Sequence, residues 1–98
     1  MKPVRFHPAA EAEYLNALSY YAGISEALGQ SVCRYMAGLL TEVGKQPQVF
    51  RMFDPPARRH FGARFPYALI YLDQPDGIWI VAVAHFKQHP GYWKERLR

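Results

Sequence analysis

Residues 65–86, FPYALIYLDQPDGIWIVAVAHF, decide the fold. Two β-rich runs, 65–72 and 78–86, flank Asp73-Gln-Pro-Asp-Gly77. That linker is strong turn chemistry, so the two runs are expected to form an antiparallel hairpin. Pro66 has no N–H to give a ladder and belongs at a strand end or an edge. Neither run alternates apolar with polar. In the first, Phe65, Tyr67, Leu69 and Tyr71 point one way and Ala68, Ile70 and Leu72 the other. In the second, Ile78, Ile80, Ala82, Ala84 and Phe86 oppose Trp79, Val81, Val83 and His85. Near-continuous apolar strands are expected where both faces of a sheet are covered.

Upstream of the hairpin the period changes. Val4 and Phe6 mark a short strand over 3–7, and Pro8 suits a first helical position. Ala10, Tyr14, Ala17 and Tyr21, widened by Leu18, predict a helix from Ala9 to about Ala22, with Glu11 and Glu13 at its positive end. Gly23 ends it and Ser25 caps the next. Leu28, Val32, Tyr35 or Met36, Leu39 and Val43 carry a second helix to Lys45, where Pro47 stops it. The pair reads as an antiparallel helical hairpin. Residues 47–57 read as loop, Arg58–Phe61 as a short strand and Tyr92–Arg98 as a tail. The expected class is therefore α+β: an N-terminal strand, a helical hairpin, a three-stranded antiparallel sheet packed on it, and a short tail. The helices cover one face of the sheet. Only the 47–57 loop and the tail remain for the other, so part of that face is expected to be a groove for an amphipathic helix or an added strand. The opposing expectation is that Phe50, Phe53, Tyr92 and Trp93 fold back over it.

The 98 residues amount to one domain, residues 1–98, without linker or repeat. Half are apolar and 15% aromatic, a globular composition. A mean hydropathy of −0.23 and the lack of a long apolar run argue against a membrane span. The N-terminal residues hold no apolar core of the kind a secretory signal needs, and one cysteine, Cys33, fits a reducing, cytoplasmic home. Twelve Lys and Arg against eight Asp and Glu give a net charge of +4. Residues 8–46 hold two cations and four carboxylates, whereas 47–98 hold eight cations and four carboxylates. The basic half invites nucleic acid or an acidic protein partner, or serves as a solubilising surface.

Three constellations carry chemistry. Arg58, Arg59 and His60 adjoin Arg64 across one turn and suit phosphate, or else form a solvated strand and turn. His85, followed by Lys87, His89 and Tyr92, suits acid–base cleavage of RNA by a neighbouring 2′-hydroxyl, or else is a core histidine bonded to backbone. His85 and His89 are four apart, but the strand, Pro90 after them and the lack of a third ligand argue against a helical metal pair, so neither metal nor cofactor is expected. Cys33 is expected to be a buried structural thiol. Glycine-rich phosphate loops, GxSxG and paired carboxylates are missing from the sequence.

VRFHPAAEAEYLNALSYY (4–21) and RRHFGARFPYALIYLDQPDGIWIVAVAHFKQHPGYWKER (58–96) together resemble, in this order, the RelE/ParE superfamily of toxins from bacterial type II toxin–antitoxin pairs. The long helical hairpin and the PGYW ending look more like its ParE branch. The resemblance implies a cytoplasmic toxin of the plasmid-stabilisation kind, held in a hetero-oligomer by a cognate antitoxin, that inhibits DNA gyrase and arrests growth. The alternative it carries is a RelE-like, ribosome-dependent mRNA endoribonuclease; a second is a degenerate, non-toxic antitoxin-binding protein. It implies target binding by Arg58, Arg59, Arg64, Lys87, Tyr92, Trp93 and Arg96. In the endoribonuclease alternative, Arg59, Arg64, His85 and Tyr92 would be catalytic. Antitoxin would sit on Tyr14, Tyr21, Trp79, Val81 and Val83. Between His85 and Pro90 this chain departs from the arginine-rich ParE-like pattern and reads Phe-Lys-Gln-His, leaving Lys87 as the one fixed charge there.

Overall fold

The computed structural model describes residues 2–97. The chain runs β1 (Val4–Phe6), α1 (Pro8–Ile24), α2 (Glu26–Lys45), β2 (Arg51–Asp54), β3 (Ala57–Phe61), β4 (Tyr67–Gln74), β5 (Gly77–His85) and a closing 3₁₀ turn (Lys94–Leu97). Pro8 is the first residue of α1, and the His7 ring caps it, Nδ1 accepting from the Ala9 N–H at 3.0 Å. Ser25 serves both helices. Its N–H donates to the Tyr21 carbonyl, while its Oγ accepts from the Leu28 N–H at 3.1 Å. Glu26 in the first turn and Lys45 in the last complement the α2 dipole.

The sheet is larger than expected. Its order is β1-β5-β4-β3-β2, with β1 parallel to β5 and every other pair antiparallel. Two corrections follow. The N-terminal strand is part of this sheet, held by Val4↔Ile78 and Phe6↔Ile80. Arg51–Asp54, expected as loop, is an edge strand paired through Arg51↔Arg59 and Met52↔Arg58. Four residues carry no period to read, and the pairing comes from β3, which reaches back across the Pro55-Pro56 turn.

The helices lie on one face. Ala10, Ala17, Val32, Met36, Leu39 and Val43 pack on Phe65, Leu69, Tyr71, Ile78, Ile80 and Val83. Tyr14, Leu18 and Tyr21 widen that seam. On the other face Ala57, Ile70, Val81, Ala82 and Ala84 lie beneath Trp93, with Phe53 and Tyr92 beside it. The second face is thus covered by β2 and the tail, and the open apolar groove expected there is closed. Phe50 takes no part in this cover, because it packs on the helical side.

A β-bulge rearranges the predicted faces. Ile70 pairs with Ala82 but Tyr71 pairs with Ile80, so Val81 is an extra residue in β5. Past Val81 the alternation reverses. Val83 joins Ile78 and Ile80 under the helices, while Ala82 and Ala84 join Trp79 and Val81 on the far face. A strict two-residue period cannot show such an insertion.

Candidate functional site

The bulge falls where β1 ends. β1 pairs with β5 only as far as Ile80, and beyond it the edge of β5 is satisfied by side chains. Glu13 of α1 accepts from the Val83 N–H through Oε1 at 3.0 Å, and Arg96 Nη1 donates to the Val81 carbonyl at 3.0 Å. Arg96 and Glu13 also form a two-pronged ion pair, 2.9 Å to Oε1 and 3.0 Å to Oε2. Tyr92 Oη donates to the same Oε2 at 2.8 Å. Burial, and then its bond to Glu13, push the Tyr92 phenol far above its ordinary range. The bond to Glu13 likewise raises the Arg96 guanidinium. One carboxylate therefore fastens helix, bulge and tail.

Beside this clamp the second face opens into a cleft of about 340 Å³. Phe53, Arg59, Ile70, His85, Phe86 and Tyr92 are among its lining residues. Arg59 packs against two rings, its Cζ 4.9 Å from the centre of Phe53 and 5.2 Å from that of Phe61. Arg59 Nε is buried and has no hydrogen-bond partner among the described residues. At the mouth Phe61 and Phe86 are exposed and meet edge to face at 5.3 Å. On the wall Lys94 Nζ pairs with Asp54 Oδ2 at 3.0 Å.

The basic residues named from sequence are dispersed. Alternation along β3 sends Arg59 to the cleft and its neighbours to the helical side. There Arg58 donates to the carbonyls of Gln48 and Phe50, and His60 stacks on Phe50 and meets Glu42. Arg64 reaches α2, with Nη2 donating to Ser31 Oγ at 3.3 Å and Cζ over the Phe65 ring. Lys87 is exposed in the loop after β5. His85 lines the cleft, but its Nδ1 accepts from the Lys87 N–H at 3.0 Å and its ring stands edge-on to Tyr67. Arg59, His85 and Tyr92 thus share one cleft, and Arg64 does not. Trp93 is 2% exposed against Phe53, and Arg96 is spent on Glu13.

The five residues linked with an antitoxin do not form one surface. Tyr14 and Tyr21 edge the helical seam, and Val83 is buried beneath it. Val81 is sealed beneath the far-face cover, and Trp79 is half-buried with Arg5 and His7 against its ring. Cys33, expected inside, is exposed on α2. Sequence reasoning missed Glu13 and the orphaned donor of Arg59. Glu13 had one visible signal, a carboxylate on the helix face that otherwise carries the apolar stripe.

The sequence matches no protein-family model and no curated protein. Its structure is similar to a chain described as "Chromosomal ParDE TA system from P. aeruginosa", with a TM-score of 0.69 at 16% identity over 89% of this chain and 98% of that one. At that identity the likeness is one of fold.

Proposed function

We propose that the chain is the toxin component of a type II toxin–antitoxin pair, neutralised by a protein antitoxin, that arrests growth by acting on DNA gyrase without catalysing a reaction itself. The observation that carries this reading is the shared fold with a ParDE toxin–antitoxin chain along nearly the whole length of both. A non-catalytic action is supported by the cleft's chemistry. Its phenol is committed to Glu13, its imidazole accepts from backbone, and Arg64 lies on another surface. An endoribonuclease needs a free general base and a cation converging on one phosphate.

Tightly controlled expression, with DNA and protein synthesis followed separately, tests the proposal. Replication is expected to stop first, and purified protein is expected to inhibit gyrase supercoiling. Normal gyrase activity at excess protein removes the gyrase reading. New 5′ ends on translated mRNA after induction replace it with the endoribonuclease, which Arg59 and His85 in one cleft would serve. Growth without arrest, combined with retained antitoxin binding, leaves the non-toxic binding protein.

A further inference from the structure

We infer that Arg59 is the receptor for a single carboxylate, presented between apolar side chains by a segment of a protein partner. This rests on the reading of the chain as one member of a protein pair. The guanidinium packs against both the Phe53 and the Phe61 ring, its Cζ 4.9 and 5.2 Å from their centres, which holds it in place. Its Nε–H is buried without an acceptor among the described residues. The two terminal nitrogens, which are not buried, form an end-on fork that matches the two oxygens of a carboxylate. The charges of the cleft admit one such group. Of the two fixed cations lining it, Lys94 is neutralised by Asp54 and Arg59 alone has no partner among the described residues. A nucleic-acid strand brings successive phosphates and needs several free cations, which the described lining of this cleft does not offer. Phe61 and Phe86, exposed at the mouth, favour apolar neighbours on either side of the acid.

The arginine Nε–H resonances of the full-length, ¹⁵N-labelled protein give the test. Four probes are titrated: acetyl-Leu-Glu-Phe-amide, its Gln counterpart, inorganic phosphate and hexauridylate RNA. The Glu peptide is expected to move the Arg59 Nε–H signal saturably, together with the backbone amides of Phe61 and Phe86. The Gln peptide is expected to bind about tenfold more weakly, the loss of one charge-assisted fork. Arg59→Lys keeps the charge but loses the fork, and is expected to weaken the Glu peptide to a similar degree. Tighter binding of RNA than of the Glu peptide overturns the inference in favour of nucleic acid. Equal binding of the Glu and Gln peptides, undiminished binding by Arg59→Lys, or no response to any probe also overturns it. The expression assay does not involve these probes, so either proposal can fail without the other.

Discussion

At the scale of single residues, Glu13 does more than any other polar side chain. It accepts from the Val83 backbone, from Tyr92 and from both terminal nitrogens of Arg96, while only 20% of its side chain is exposed. Glu13→Gln is expected to cost about 2–4 kcal/mol, because it leaves Arg96 half-buried without its counter-charge. Urea unfolding checks this, as a lower midpoint at an unchanged slope. Arg96→Ala alone should cost a similar amount. The double variant should cost less than the two added together, since both remove one interaction. Tyr71 makes a pH prediction. Burial is the main cause that pushes its phenol up to about 12, with Arg58 lowering it and Asp73 raising it. An unfolded tyrosine titrates near 10. Tyr71 therefore contributes stability that is complete below about pH 10 and is lost as the pH rises to about 12, at roughly 1 kcal/mol per pH unit. Tyr71→Phe should flatten that alkaline decline. At neutral pH it should cost about 1 kcal/mol through the lost bond to the Pro47 carbonyl. Denaturant midpoints at pH 8, 10 and 11 distinguish the two effects.

At the scale of elements, the helical hairpin is held closely by Gly29. A Cβ there would lie 2.9 Å from the Ala22 Cα, a backbone atom that yields only if α1 and α2 part. Gly29→Ala should destabilise by about 1–3 kcal/mol despite its better helix propensity, and a thermal melt would show it. Both helices were legible in the sequence, since Ala10, Ala17, Val32, Met36, Leu39 and Val43 recur at helical spacing and all are buried. The β4–β5 hairpin was legible too, because Asp73–Gly77 is turn chemistry between two β-rich runs. β2 was not legible, for its pairing lies in β3 and not in its own four residues. The reversal at Val81 was hidden for a different reason. A bulge is chosen by what awaits at the sheet edge, here Glu13 and Arg96, and neither belongs to the strand.

At the scale of the whole molecule, the cover over the second face is what separates the structure from the sequence reading. Counting the apolar sides of β4 and β5 left a choice between a groove for a partner and a lid of Phe50, Phe53, Tyr92 and Trp93, and the structure has the lid without Phe50. The lid is Trp93 and Tyr92, docked on Ile70, Val81 and Ala82 with Phe53 alongside. Trp93→Ala is expected to cost about 3–5 kcal/mol and to raise binding of a hydrophobic dye, because it uncovers buried apolar surface without removing the clamp. An unchanged dye signal would mean that other groups seal the face. The candidate site was half legible. Arg59, His85 and Tyr92 line one cleft, but strand alternation, which no one-dimensional cluster reveals, turned Arg58 to the other face, and the loop after β3 carried Arg64 to α2. The supernumerary Val81 has a genetic counterpart. A gene lacking only codon 81 would encode a β5 in even step with β4, with Ala82 following Ile80 directly and each later residue keeping its present side. What those three nucleotides encode is the foothold of the tail, the carbonyl that Arg96 holds, and not the layering of the sheet.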